Sequence, residues 1–368
     1  MHDKRQKLLL LILLLSLLFS IFTVMVVSME QPSVSARAAV LYEPTTRRFL
    51  YRKNSKTRLG MASTTKIMTA LVTLDHKKTD EKIKIDPRAV GVEGSSLYLK
   101  EGEVLSVEDL LYALLLRSAN DAALALAYDI SGSVEGFAEL MNEKARTLGL
   151  TDTHFENPHG LDGQKHYTTA EELAVIAALA LENETLRKIS STYKKTLGED
   201  GERLVVNHNK LLLFYDGAIG VKTGFTKKCG RTLVGAAERD GLTLISVTLD
   251  SPDDWNDHKK LLDLGFSLCE AKALIKDGDF TYTLPVLDTD GETVTVAPRH
   301  TLTVVRGKAD PKIKSEVRLP RFVTAPISEG DVLGTVLFTD GEGYAESVEL
   351  LAKTRVSKKE RKKFFGLF

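Results

Sequence analysis

The strongest constraint on this chain is one short stretch, Met61-Ala62-Ser63-Thr64-Thr65-Lys66-Ile67-Met68-Thr69-Ala70. Ser-x-x-Lys stands there at the front of an apolar run, Ile67 to Leu74. Residues three apart on a helix share a face, so a helix starting here puts the Ser63 hydroxyl beside the Lys66 amine. An amine held neutral can take the hydroxyl proton and make the serine a nucleophile. The positive N-terminal end of a helix also favours a developing alkoxide. The same letters describe an ordinary helix start too, with Ser63 as N-cap and Lys66 in solvent. A second match, Ser191-Thr192-Tyr193-Lys194, means that the motif needs company before it marks a site.

The chain has 368 residues, which allows one to three domains. Lys+Arg and Asp+Glu both number 50, and this zero balance argues against a general polyanion binder; no nucleic-acid partner is expected. Cys229 and Cys269 are far apart without metal-type spacing, so they read as two independent thiols rather than a disulfide framework. Near the start, Lys4, Arg5 and Lys7 precede Leu8 to Val27, an apolar run broken only by Ser16, Ser20 and Thr23. Residues 1–29 therefore read as a signal peptide or an N-terminal membrane segment, long enough to span a bilayer. Val26-Val27-Ser28 is a tolerable cleavage site, whereas cutting at Ala36-Arg37-Ala38 would trim the first strand. Either way the remainder is exported.

Ala36 to Tyr42, the turn Glu43-Pro44-Thr45-Thr46 and Arg48 to Arg52 read as a β-hairpin. The Ser63 helix ends near Asp75-His76. A loop-rich stretch follows, with a strand at Lys82 to Ile85, then a helix from Ser106 to Leu116. Arg117-Ser118-Ala119-Asn120-Asp121 interrupts the helical pattern before Ala122 to Ile130 resumes it. A polar knot between two apolar helices is expensive to bury. Either Asn120 or Asp121 caps the second helix, or Ser118 and Asn120 project into a site with Ser63 and Lys66. Val134 to Leu148 is a helix closed by Gly149, and Thr168-Thr169-Ala170-Glu171-Glu172 reads as a capping box that opens another to Leu181. His154, His159 and His166 fit no metal spacing and read as loop histidines.

The third key stretch is Ala218-Ile219-Gly220-Val221-Lys222-Thr223-Gly224-Phe225-Thr226. Its apolar lead-in and glycines suggest a strand that lets backbone approach something closely. Lys-Thr-Gly supplies a cation, a hydroxyl and a bare backbone, suited to an anionic, extended peptide on a sheet edge. A strand edge guarded by lysine is the plainer alternative. Strands at Thr232 to Ala237 and Leu242 to Leu249 and a helix from Trp255 to Cys269 follow. Beyond Lys276 the runs Tyr282 to Val286, Glu292 to Val296, Thr301 to Val305, Val332 to Phe338 and Ser347 to Leu351 make a small all-β unit. The tail is basic and ends Phe364-Phe365-Gly366-Leu367-Phe368, an interfacial membrane anchor by composition.

Ser63-x-x-Lys66, Ser118-x-Asn120 and Lys222-Thr223-Gly224 occur in that order, the set found in penicillin-binding proteins and class A β-lactamases. The chain resembles a low-molecular-mass penicillin-binding protein, a serine D-Ala-D-Ala carboxypeptidase of peptidase family S11, over about Ala36 to Leu268. Asn157-Pro158-His159-Gly160-Leu161 and Asn207-His208-Asn209-Lys210-Leu211 also look like segments of that family. The resemblance implies an α/β (α+β) serine β-lactamase/transpeptidase-like domain over 30–275. It would be an antiparallel sheet with helices on both faces plus an all-helical subdomain. A β-rich domain over 276–352 and an amphipathic anchor over 353–368 would follow. It implies a wall enzyme of peptidoglycan biosynthesis and cell shape, at the outer face of the cytoplasmic membrane. Its substrates would be stem peptides ending in D-Ala-D-Ala, and β-lactams its covalent inhibitors.

The resemblance also assigns roles. Ser63 would be the nucleophile, Lys66 its base, Ser118 a proton relay, and Asn120 the partner of Lys66 and of the substrate amide. Lys222, Thr223, Gly224, Phe225 and Thr226 would bind substrate, with the backbone N–H groups of Ser63 and Phe225 as the oxyanion hole. No metal or organic cofactor is implied. One departure stands out: relatives can carry a carboxylate-binding arginine near the start of the helix after the last strand, but Ser251 to His258 contains none. Carboxylate recognition is then expected to rest on Lys222, Thr223 and Thr226. A β-lactamase, a penicillin sensor and a degenerate wall protein are the rivals. No Glu-x-x-Leu-Asn lies between the second and third motifs, no signalling domain is visible, and every motif residue is present.

Overall fold

A computed structural model of the chain describes residues 31–198, 201 and 203–359. The expected leader over 1–29 and the end of the expected anchor, 360–368, lie outside the described residues. Among the described residues no helix is long and apolar enough to cross a membrane.

The expected hairpin forms from Ala38–Glu43 (β1) and Arg48–Lys53 (β2). Ala218–Thr226 (β3), Gly230–Arg239 (β4) and Leu242–Leu249 (β5) join it in one antiparallel sheet of order β2-β1-β5-β4-β3. β1 is buried along its whole length: small or apolar residues from Ala38 to Tyr42 fill both faces, and Glu43 at its end accepts from the Thr45 and Thr46 N–H groups. Ala38, Val40 and Tyr42 enter the main core. Leu41 points the other way, against the helix that carries Gly265, where an added Cβ would come within 2.9 Å of Leu41. The order leaves β3, the strand with Lys222-Thr223-Gly224, at an edge of the sheet.

Helices cover both faces. Ala170–Glu182 packs on β1 and β5 from one side, and Asp254–Leu268 packs on β1, β4 and β5 from the other. Thr169 caps the first of these by accepting from the Glu172 N–H at 3.1 Å, as its sequence predicts. The helical part is built around Lys66–His76 (α1), which is buried at every position from Lys66 to Thr73. Val107–Tyr112 (α2), Asn120–Ser131 (α3) and Val134–Thr147 (α4) complete it. α3 is rich in alanine and leucine on every side, as a helix enclosed by protein must be.

Three local readings need correction. The helix read from Ser106 to Leu116 forms but widens: α2 gives way to a π-helical turn over Ala113–Arg117, which ends at Ser118 in the left-handed region (φ 62°). Neither Asn120 nor Asp121 caps α3, whose N-cap is Ala119 with no side-chain bond. Asp121 instead accepts from the backbone N–H groups of Leu97 and Leu99 and from the Ser96 hydroxyl, tying down the loop beside it. Nor is Ser63 an N-cap: it lies inside a 3-10 turn, Ala62–Thr65, that runs into α1 without a side-chain capping bond.

Toward the C-terminus, Cys269–Ile275 (β6) is a strand, so the helix expected to run to Cys269 ends at Leu268. The strand pairs with Leu302–Gly307 (β9), Ala271 lying opposite Val305. The expected runs appear as Tyr282–Leu287 (β7), Thr293–Pro298 (β8), β9, Val332–Thr339 (β12) and Ala345–Ala352 (β13). Lys314–Arg318 (β10) and Val323–Thr324 (β11) are additional. All but β6 and β9 form a six-stranded sheet, and Val294, Val296, Val336, Val348 and Leu350 lie in its own core. Cys229 and Cys269 are both free thiols.

Candidate active site

Ser63 begins where the chain turns from extended backbone into helix. Ala62 before it has φ 46°, and the 3-10 turn carries Ser63 to the N-terminal end of α1. Lys66 follows one turn later and is completely buried. Its Nζ has three near neighbours: Asn120 Oδ1 at 2.7 Å, the His159 carbonyl oxygen at 2.6 Å and Ser63 Oγ at 3.1 Å. Asn120 is itself fixed, because its Nδ2 donates to the Glu93 carbonyl at 2.6 Å.

Lys66 Nζ can donate to all three oxygens as an ammonium, and the same geometry also serves the neutral amine that the chemistry needs. An uncharged –NH2 has two N–H donors and one lone pair, and the two carbonyl oxygens can only accept. They take the donors, which leaves the lone pair for the Ser63 hydroxyl. Burial holds the Lys66 pKa well below the ordinary lysine value; the Lys222 charge adds to this, and Asp121 opposes it. Lys222 is likewise buried, and burial brings its pKa down to about 7. It donates to the Thr223 carbonyl at 2.7 Å.

The edge strand reaches Ser63 through a glycine. A Cβ on Gly224 would lie 2.9 Å from the Ser63 nitrogen and 2.3 Å from Thr232 Oγ1, so only glycine lets β3 lie this close. Ser63, Ser118, Thr223, Gly224 and Phe225 line one open cavity of about 420 Å³. The left-handed turn that follows the π-helical segment places Ser118 there, and such segments recur at functional sites. Thr226 goes elsewhere: its hydroxyl donates to Asp162 at 2.9 Å and accepts from the Cys229 N–H at 2.9 Å.

Taken together, a serine touching a buried amine, a second serine across the cavity and an edge strand with a free backbone suit acyl transfer to a peptide. The sequence matches a family with this chemistry. Residues 25–253 match the family profile for D-alanyl-D-alanine carboxypeptidase, and residues 270–358 match that for the C-terminal domain of penicillin-binding protein 5. The chain belongs to the D-alanyl-D-alanine carboxypeptidase family.

This carboxypeptidase is 35% identical over 325 residues to D-alanyl-D-alanine carboxypeptidase DacF of Bacillus subtilis, covering 85% of this chain and 84% of that one. It is 37% identical over 264 residues to a D-alanyl-D-alanine carboxypeptidase of Streptomyces sp. strain K15, covering 66% of this chain and 90% of the other. Among solved structures, penicillin-binding protein 5 of Haemophilus influenzae superposes with a TM-score of 0.64 at 29% identity, over 89% of this chain and 99% of that one.

Three contributors to this candidate site escape a reading of motifs. The first is the loop Asn157 to Leu161, whose turn residues are legible but whose purpose is not. Asn157 accepts from the Gly160 N–H at 2.7 Å, Thr69 donates to the Pro158 carbonyl at 2.6 Å, and the His159 carbonyl is thereby aimed at Lys66. The histidines read as ordinary loop residues are thus partly structural: His166 is buried against the Thr65 hydroxyl at 2.7 Å, and burial lowers its pKa to about 4. The second is Glu93, which orients Asn120 through a backbone carbonyl that no motif encodes. The third is Arg231 on β4, which lines the cavity beside Thr223 and Phe225. The competing Ser191-x-x-Lys194 dissolves: Ser191 ends a helix and donates to the Lys188 carbonyl, while Lys194 is exposed on a strand.

Proposed function

We propose that this D-alanyl-D-alanine carboxypeptidase works through Ser63 as nucleophile and Lys66 as its base. The observation that carries this reading is the buried Lys66 amine, held by two carbonyl acceptors with Ser63 Oγ as its third neighbour at 3.1 Å. The Ser63 oxygen attacks the carbonyl between the two terminal D-alanines of a stem peptide, and its proton passes to Lys66. The tetrahedral oxyanion is held by the backbone N–H groups of Ser63 and Phe225. Collapse breaks the C–N bond, and the leaving D-alanine nitrogen receives a proton by way of Ser118. Water then attacks the ester of the acyl-enzyme, freeing the shortened peptide and restoring the Ser63 hydroxyl. Asn120 keeps Lys66 in place and contacts the substrate amide. Lys222, Thr223 and Gly224 hold the extended peptide along the edge of β3. A β-lactam enters the same path and stops at the acyl stage.

The test is to map the adduct. After incubation with penicillin, mass spectrometry of proteolytic peptides is expected to place the added mass on the peptide carrying Ser63. An adduct on the peptide carrying Ser191 would refute the assignment.

The same reading extends to the cell. Residues 30–275 act on the wall at the outer face of the cytoplasmic membrane, after export directed by residues 1–29. Residues 276–352 form the β-rich domain, to which strand β6 is hydrogen-bonded. Residues 353–356, expected to begin the anchor, belong to that domain instead, Val356 being buried in its core and paired with Ile327, and the segment after them rests on the membrane surface by basic charge and terminal phenylalanines. Deleting 360–368, which spares the buried Val356, should move the mature protein from the membrane to the soluble fraction. Retention at the membrane would assign the anchor to the N-terminal segment.

A further inference from the structure

The head of the Asp254–Leu268 helix lines the cavity with Asp254 and Trp255 and offers no cation there. The helix begins with the opposite charge, Asp254. We infer that Arg231, on the neighbouring strand β4, supplies the cation for the free C-terminal carboxylate of the substrate, and that Asp254 positions it. The inference rests on the reading of Ser63 and β3 given above.

Register and charge support it. Arg231 pairs directly with Phe225 across β3 and β4, and Thr223 with Leu233. Directly opposed residues share a face of a sheet, as do residues two apart, so Thr223, Phe225 and Arg231 stand on one side. That side opens onto the cavity which Ser63 lines. Asp254 Oδ2 lies 3.1 Å from Arg231 Nε, with the aspartate side chain 5% exposed and the arginine side chain 45% exposed. Asp254 is held in turn by the Trp255 N–H at 3.0 Å. A guanidinium bound at its Nε edge keeps its terminal N–H donors for a second acceptor. Those donors are spaced for the two oxygens of a carboxylate, which lysine cannot match bidentately.

The sequence expectation gave this task to Lys222, Thr223 and Thr226. Lys222 is buried and bonded to the Thr223 carbonyl, Thr226 is engaged by Asp162, and of the three Thr223 lines the cavity. Lys210 also lines the cavity. It extends from the segment before a short helix, Leu211–Phe214, and not from the β3–β4 face.

The test compares two substrates on purified protein. One is an acylated Lys-D-Ala-D-Ala with a free carboxylate, the other its C-terminal amide. Wild type is expected to favour the acid in kcat/KM, chiefly through KM. Arg231→Gln should reduce that preference by about 10- to 100-fold, the range for a lost charge-assisted hydrogen bond. Arg231→Lys should restore part of it, and Lys210→Gln should keep it. A loss on acid and amide alike in Arg231→Gln would make Arg231 merely structural and overturn the proposal. Collapse of the preference in Lys210→Gln alone would reassign the role. Failure of wild type to release D-alanine, or release that survives Ser63→Ala, would overturn the underlying site instead.

Discussion

Asn120 faces two ways: its Oδ1 accepts from Lys66 Nζ at 2.7 Å while its Nδ2 donates to the Glu93 carbonyl at 2.6 Å. The second bond sets the first. With the amide nitrogen committed to Glu93, the Lys66 amine meets only an uncharged oxygen. The pocket therefore holds the amine in place without stabilising its charged form as a carboxylate would.

Asn120→Asp tests this arrangement. A carboxylate beside the amine favours –NH3+, and an opposite charge this close shifts a pKa by about one to three units. Acylation by penicillin at neutral pH should fall, and the acid limb of its pH profile should move up by a similar amount. A slower reaction with an unmoved limb would show that Asn120 governs geometry alone.

Lys222→Gln should move the same limb upward by less. Burial is the main cause of the low Lys66 pKa, and the Lys222 charge is the second. Removing that charge leaves burial in place, so the amine regains only part of its basicity. A shift larger than that of Asn120→Asp would reverse this ranking.

Gly160→Ala tests the loop that carries the His159 carbonyl. Gly160 has φ +90°, and a Cβ there would lie 2.0 Å from the Ala62 carbonyl oxygen, one residue before Ser63. Overpacking of this kind costs about 1–3 kcal/mol. Denaturant midpoints should fall accordingly, and penicillin acylation should slow even where the variant is folded. Wild-type acylation would mean that the His159 carbonyl is dispensable.

His258 makes stability pH-dependent. It is fully buried between the Ser246 hydroxyl, 2.7 Å from Nδ1, and the Thr248 hydroxyl, 2.9 Å from Nε2. Burial depresses its pKa from 6.5 to about 3. The unfolded chain binds a proton near pH 6.5 that the folded chain refuses until far lower pH. The contribution is therefore intact above pH 6.5 and is lost as pH falls toward 3, the loss reaching about 2 kcal/mol at pH 5. In His258→Asn the difference in unfolding free energy between pH 7.5 and 5 should shrink by that amount. An unchanged difference would show that His258 does not titrate on unfolding.

Much of the fold is legible because local patterns and global packing agree. The β1–β2 hairpin, α1 and the long sheet strands announce themselves by periodicity and turn residues. The π-helical turn before Ser118 does not, because Ala113-Leu114-Leu115-Leu116 reads as uninterrupted helix and only packing extends the turn. Strand β6 was hidden because its hydrogen-bonding partner, β9, begins 27 residues after it ends. In the candidate site, the motif side chains are visible in the sequence, whereas the backbone carbonyls of His159 and Glu93 carry no side-chain signature. Arg231 was missed because its relation to Thr223 is a matter of register between strands.

The most direct test of the central claim is D-alanine release from acylated Lys-D-Ala-D-Ala by the purified protein without residues 1–29, beside its Ser63→Ala variant. The account predicts release that penicillin abolishes in the first and no release in the second. Release that persists in Ser63→Ala would contradict it.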